Sequence, residues 1–176
     1  MTAEMTRLIE PLIPALRRYA RALLRDRAAA DDLVQDCLER VIGRWHQRRA
    51  EGETRAWIFA ILHNLAMTRL RRAASRPQAV PLELTSEADL AGRASQEDAL
   101  RCRDVLSALS RLPDEQRMVL LLVAVEDLSY AETAKVLDLP IGTVMSRLSR
   151  ARERLHLAIS EEVRPEGERP HLRRVK

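Results

Sequence analysis

Apolar positions along the chain fall into helical stripes in two separate stretches. In the first, Leu8, Leu12, Leu16, Tyr19 and Leu23 recur at helical spacing. This predicts a helix reaching about Leu24, with Pro11 and Pro14 placed to shape a first turn. Asp26 is positioned to cap a second helix whose apolar face reads Leu33, Val34, Cys37, Leu38, Val41, Ile42 and Trp45. A third helix is predicted from about Glu53 to Arg72, burying Trp57, Ile58, Ile61, Leu62, Leu65 and Leu70. Three helices with short connections make a bundle.

The second stretch starts at Ser95, a plausible cap with Asp98 three residues on, and leads into Leu100, Val105, Leu106 and Leu109. Pro113-Asp114-Glu115 opens another helix. The apolar run from Met118 to Val125 could by itself be a buried strand, but the helix-start signature and the lack of a partner strand favour a helix. Ser129 to Leu137 then reads as a short capped helix, which Asp138-Leu139-Pro140 stops. A longer basic helix begins near Gly142 and Thr143. Short helix, tight turn and basic helix form a helix-turn-helix, whose second helix lies in the DNA major groove with its N-terminal residues at the base edges. Val144, Leu148, Ala151 and Leu155 make its inward stripe, leaving Met145, Ser146, Arg147, Ser149, Arg150, Arg152 and Arg154 on the other faces.

Between the two stretches Pro77 and Pro81 precede a Leu-poor segment with Gly92, and the charge balance changes. Residues 1–75 carry 14 basic and 9 acidic side chains, residues 76–97 carry 2 and 4, and residues 98–176 carry 14 and 13. The prediction is an all-α chain of two small helical domains, 1–75 and 98–163, joined by a flexible linker over 76–97 and followed by a frayed tail over 164–176.

With 46% apolar but only 3% aromatic residues among its 176, the composition agrees with helices rather than sheets. The net charge of +4 is carried almost entirely by Arg, with Lys only at Lys135 and Lys176. Arg suits bidentate binding of phosphate and guanine. Arg147, Arg150, Arg152 and Arg154, opposed only by Glu153, repel one another unless a polyanion neutralises them, and DNA is the economical partner. No basic-then-apolar leader is present and no apolar run approaches the roughly 20 residues that span a bilayer, so the expectation is a cytoplasmic protein without membrane insertion. Cys37 and Cys102 lie in separate amphipathic stretches and read as core residues. His46, His63, His156 and His171 lack metal spacing, and no Gly-rich phosphate loop or nucleophile motif occurs. No catalysis, metal or cofactor is expected.

Two further surfaces carry chemistry. Asp32, Gln35, Asp36 and Glu39 fall at i, i+3, i+4 and i+7, an acidic stripe opposite the apolar face of the second helix. Acid repels DNA, so this stripe wants a basic protein. The third helix and the loop before it hold Arg48, Arg49, Arg55, His63, Asn64 and Arg69, with Phe59 and His63 one turn apart on a face not needed for the core. Such a face can track phosphates with its arginines, stack an unpaired base on its ring and pair a base edge with Asn64, although a lone Phe on a small helix is more often core.

Leu128-Ser129-Tyr130-Ala131-Glu132, followed by the run from Pro140 to Arg152, resembles region 4 of the extracytoplasmic-function sigma factors of bacterial RNA polymerase. The first stretch resembles region 2 of the same family through Tyr19-Ala20-Arg21, Leu24-Arg25-Asp26, Asp31 to Asp36, Thr54 to Phe59, and Asn64-Leu65-Ala66. Nothing resembles an intervening region 3. The resemblance implies that the acidic stripe docks on the clamp helices of the polymerase largest subunit, and that the flap is a further contact. It implies that the third helix, with the loop from His46 to Thr54, melts the minus-ten element and captures a base. It further implies that Met145, Ser146, Ser149 and Arg150 read the minus-thirty-five element, with Arg147 on phosphate and Ser129 and Thr143 on the same surface. Promoter DNA, core polymerase and an anti-sigma factor are the implied partners. Asp138 departs from the pattern, standing where the family usually has Gly, and Met145 and Ser149 offer no hydrogen-bond fork to bases. Two rivals make different predictions. A conventional helix-turn-helix regulator would bind duplex tightly without polymerase. A sigma-like decoy would be expected to lose the Arg-rich face that this chain keeps.

Overall fold

The computed structural model describes residues 3–48, 53–74 and 105–162, with side chains through residue 160. Helix α1 (Ala3–Ile9) runs through a 3-10 turn (Glu10–Leu12) into α2 (Ile13–Leu24), with Pro11 and Pro14 in the opening turns of the second and third of these elements. The helical period itself departs from the expected stripe: counted back from Leu16 at about 100° per residue, Ile9 and Met5 fall within about 20° of it, whereas Leu12 lies about 40° and Leu8 about 80° away. Met5 and Ile9 are buried where Leu8 and Leu12 were expected, those two being half-buried, whereas Leu16, Tyr19 and Leu23 are buried as predicted.

Helix α2 ends on Arg25 in the left-handed region (φ 56°), whose N–H returns to the Arg21 carbonyl. Asp26 caps α3 (Arg27–Gly43), its carboxylate accepting from the Ala29 N–H at 2.9 Å. Leu33, Val34, Cys37 and Val41 are buried against α2 and α4 (Thr54–Ala74), but Ile42, placed in the stripe by sequence, is exposed. Residues four apart advance about 40° around a helix. The series Val34, Leu38, Ile42 therefore drifts from buried through half-buried to solvent-facing. Cys37 directs its thiol at the Ile58 carbonyl, and burial pushes that thiol up to about 12, which leaves it an unreactive core group.

The second block begins with α5 (105–111) and α6 (Asp114–Leu120), entered through Pro113. The apolar run is helical, as predicted, but its second half widens into a single π turn (Leu121–Val125), closed by the Glu126 N–H donating to the Leu121 carbonyl at 3.0 Å. Helices α7 (Tyr130–Leu137) and α8 (Ile141–Glu162) complete the block. Leu112, Val119, Leu120, Val144, Leu148 and Ala151 form its own core. Met118, Leu121, Leu122, Leu128 and Val136 turn the other way and join the core of the first block. The two expected helical blocks are therefore present and, beyond that expectation, packed on one another with α7 against α4. The linker over 76–97, the Ser95 cap, Leu100, Cys102 and the tail over 164–176 lie outside the described residues.

Glu126 is buried in this seam at 1% exposure. Arg18 grips its carboxylate with Nε at 3.2 Å and Nη2 at 3.0 Å, and Arg55 donates to its backbone carbonyl and stands 3.7 Å from the same carboxylate. Around this centre Arg25 donates to the Ser110 carbonyl at 2.8 Å, and Lys135 meets Glu53 at 2.6 Å. Burial pushes the Glu126 carboxyl above its usual range, against the pull of Arg18 and Arg55.

In the first core Tyr19 meets Phe59 edge to face at 5.7 Å and shares a hydrogen bond of 3.1 Å with His63 Nδ1. Burial pulls His63 down to about 4, below the 6.5 of a free imidazole. The unfolded chain thus takes up this proton before the folded one does. The stability contributed by the neutral ring is complete above about pH 6.5 and is lost as the pH falls from there towards 4. Thermal unfolding monitored by circular dichroism should reveal a loss of roughly 3 kcal/mol across that window. The slope should flatten in His63→Phe; an unchanged slope in that variant would assign the pH dependence to other groups.

Candidate nucleic-acid interface

Ser129 begins α7 with a reciprocal cap. Its hydroxyl accepts from the Glu132 N–H at 3.2 Å, and the Glu132 carboxylate accepts from the Ser129 N–H at 2.8 Å. These bonds to Ser129 hold the Glu132 carboxyl below its usual range. Helix α7 stops at Asp138, whose backbone is left-handed (φ 53°, ψ 51°), and the Leu139 N–H returns to the Ala134 carbonyl. That conformation is the physical reason the position favours Gly. Pro140 then starts α8, its carbonyl accepting from the Thr143 and Val144 N–H groups.

Helix α8 divides as its spacing predicts. Val144, Leu148 and Ala151 are buried and Leu155 is half-buried, while Met145, Ser146, Ser149, Arg150, Arg152 and Arg154 are exposed. Arg150 folds along its own helix towards Ser146, with Nε 3.3 Å from the carbonyl and Nη2 3.4 Å from Oγ. A pocket of about 260 Å³ lies beside the helix, lined by Tyr130, Met145, Leu148, Ser149 and Arg152. Three expected contacts are less available. Arg147 is tied to Glu115 at 2.8 Å, Thr143 is half-buried, and the Ser129 hydroxyl is committed to the cap.

In the first block Asp32, Gln35 and Glu39 are exposed in one line along α3, with Gln35 donating to Glu39 at 3.2 Å. Asp36, in the same line, is half-buried because Arg69 pairs with its carboxylate; the same guanidinium donates to the Ala29 carbonyl at 2.8 Å. The face expected on α4 is corrected by the structure. Phe59 is fully buried and His63 is 7% exposed, because both rings pack with Tyr19 in the core between α2 and α4. Arg48 reaches back to Glu4 at 2.7 Å and to Thr54 at 3.1 Å, with its guanidinium over the Trp45 ring. Arg55 serves Glu126, and Asn64 remains exposed. Arg49 lies outside the described residues.

Sequence reasoning missed Arg18 and Glu126 as functional candidates. The separation of 108 residues between them leaves no local pattern to read. Among the described residues no helix is long and apolar enough to cross a membrane, and no group of His, Cys, Asp or Glu is placed to hold a metal ion.

Residues 9–63 match the family described as the sigma-2 domain of PhyR, and residues 102–155 match sigma-70 region 4. The extracytoplasmic-function (ECF) RNA polymerase sigma factor EcfG of Rhodopseudomonas palustris is 32% identical over 143 residues, covering 81% of this chain and 78% of that protein. The ECF sigma factor SigM of Mycobacterium tuberculosis is 37% identical over 140 residues, covering 80% and 69%. The chain belongs to the ECF RNA polymerase sigma factors. As a member of that family it is an alternative sigma factor, which binds core RNA polymerase and promoter DNA to direct transcription initiation. Among solved structures, the sigma factor RpoE of Bartonella quintana in complex with the anti-sigma factor NepR is similar at a TM-score of 0.73 and 26% identity. That likeness covers 90% of this chain and 98% of RpoE, so it extends over both blocks.

The left-handed turn of this ECF factor yields a direct test. Asp138→Gly removes a backbone penalty of about 1 kcal/mol and should raise the unfolding midpoint by about 2–4 °C. Asp138→Val should lower it, because a branched side chain tolerates the left-handed region poorly. A fall with glycine, measured by calorimetry, would contradict this account of the turn.

Proposed function

We propose that this sigma factor divides its work between three surfaces. The acidic line of α3, through Asp32, Gln35, Asp36 and Glu39, docks on the clamp helices of the polymerase largest subunit, with the flap as the further polymerase contact. Asn64, Arg49 and Arg55 contact opened minus-ten DNA, while Arg48 and Arg69, expected there from the sequence, are held by Glu4 and Asp36. Met145, Ser146, Ser149 and Arg150 read the minus-thirty-five duplex, with Arg147, Ser129 and Thr143 at its edge. The modules are 1–75 and 98–163. The chain is a non-catalytic, cytoplasmic specificity subunit that needs no cofactor; the polymerase supplies the nucleotidyl-transfer chemistry.

The observation that carries this reading is α8, where an exposed wall of Met, Ser and Arg stands over a buried apolar stripe at the N-terminal end of a recognition helix. Across both blocks the relatives at 32% and 37% identity are sigma factors, which favours this reading over a conventional regulator or a decoy. An anti-sigma factor is a third partner, supported by the likeness to an RpoE that is bound by NepR. Release from it under an environmental or envelope stress would set the factor to work.

Two substitutions test the surfaces separately. Arg150→Ala should lower run-off transcription from a matched promoter about tenfold while leaving a minus-thirty-five-mutated promoter nearly unchanged, the loss expected for about 1–3 kcal/mol of base discrimination. Equal transcription of both promoters by both proteins would remove Arg150 from the readout. Asp32→Ala should weaken capture by purified core polymerase with an unchanged circular dichroism spectrum. Undiminished capture would clear the α3 face of that role.

A further inference from the structure

Grasping both promoter elements at once sets a length requirement that the packed chain does not meet. Elements named for positions ten and thirty-five lie about 25 base pairs apart, roughly 85 Å of duplex at about 3.4 Å per step. Helix α4, the long helix of the first block, has 21 residues and spans about 30 Å, and α7 lies directly against it. In this arrangement α8 packs on α7, and α7 on α4, so the recognition helix is held one helix layer from the first block, far short of that span. The two blocks must separate for both elements to be held.

We propose that Glu126 is the pin of an intramolecular clasp that keeps the second block shut on the first, and that joining a promoter requires this clasp to open. The proposal rests on the three-surface reading above. The pin is specific. The π turn and the left-handed Asp127 (φ 48°) that flank Glu126 direct its carboxylate out of the second block and into the first, where Arg18 holds both oxygens. It is also reversible. A buried ion pair adds little net stability, because desolvating its charges offsets their attraction, yet removing one partner leaves a buried charge unmatched. Binding energy from polymerase and DNA is thus set chiefly against the apolar seam made by Met118, Leu121, Leu122, Leu128 and Val136.

Arg55 links closure to function. In the shut chain its guanidinium serves Glu126, and on opening the same group becomes available to a DNA phosphate. The clasp therefore exchanges a carboxylate of the chain for a phosphate of the promoter. It also withholds one minus-ten cation until the second block has moved away.

The test uses the full chain carrying Cys102→Ser. Glu53 and Lys135, exposed and in contact across the seam, are replaced by cysteine and joined with a reductant-cleavable bis-maleimide. The locked chain should lose at least tenfold in promoter-directed run-off with core polymerase and recover on cleavage of the linker. Full activity while locked would overturn the proposal. The unlocked chain's own activity is the separate check on the sigma reading. Small-angle scattering tests the pin itself. Glu126→Arg, which gathers three cations in the seam, should enlarge the radius of gyration with helical content unchanged, and adding Arg18→Glu should bring it back. If Glu126→Arg unfolds the chain, Arg18→Ala serves as the opening variant. Failure to expand, or expansion that the charge swap does not reverse, would reject Glu126 as the pin.

Discussion

The apolar run from Met118 to Val125 has to satisfy two cores at once, and the architecture follows from that constraint. An ordinary amphipathic helix buries one stripe and leaves the rest polar. Here Val119 and Leu120 face α8 while Met118, Leu121 and Leu122 face the first block, so nearly the whole circumference is apolar. The π turn at Leu121–Val125 ends the helix where the two demands diverge and delivers Glu126 to the seam. A polar residue anywhere between Met118 and Leu122 would be stranded in one core or the other.

Arginine is used differently on the two sides of that seam. In the first block Arg18, Arg21, Arg48 and Arg69 each reach a carboxylate of the chain, and Arg69 also reaches a backbone carbonyl. Much of the cationic charge there braces the fold. On α8, Arg150, Arg152 and Arg154 point to solvent. Net charge counts both groups alike, but only cations standing clear of carboxylates present a strong field to a polyanion. The acidic line on α3 survives because Asp32, Gln35 and Glu39 lie on the helix edge turned away from α2 and α4.

Some elements were legible because their causes are local. Asp26 announces the start of α3, Ser129 with Glu132 announces α7, and Val144, Leu148 and Ala151 announce the buried side of α8, each through contacts within four residues. The burial of Met5 and Ile9 was missed because a stripe counted every fourth residue drifts about 40° per step, which carries Leu8 off the buried side. Phe59 and His63 were misplaced for a different reason. Their spacing places them together on one side of α4, but which side faces Tyr19 is decided by how α2 crosses it.

By itself, then, the sequence determined the helices, their caps, the helix-turn-helix and its outward chemistry, since all of these depend on neighbours along the chain. Only the tertiary structure decided that the blocks close on each other and that Glu126, Arg18 and Arg55 converge. It also decided which arginines pair with the chain's own carboxylates and which stand in solvent. The physical reason is that burial of a charge or a ring depends on what arrives from 44 residues away, as for Tyr19 and His63, or from 108, as for Arg18 and Glu126. Those distances lie far beyond the reach of any helical period.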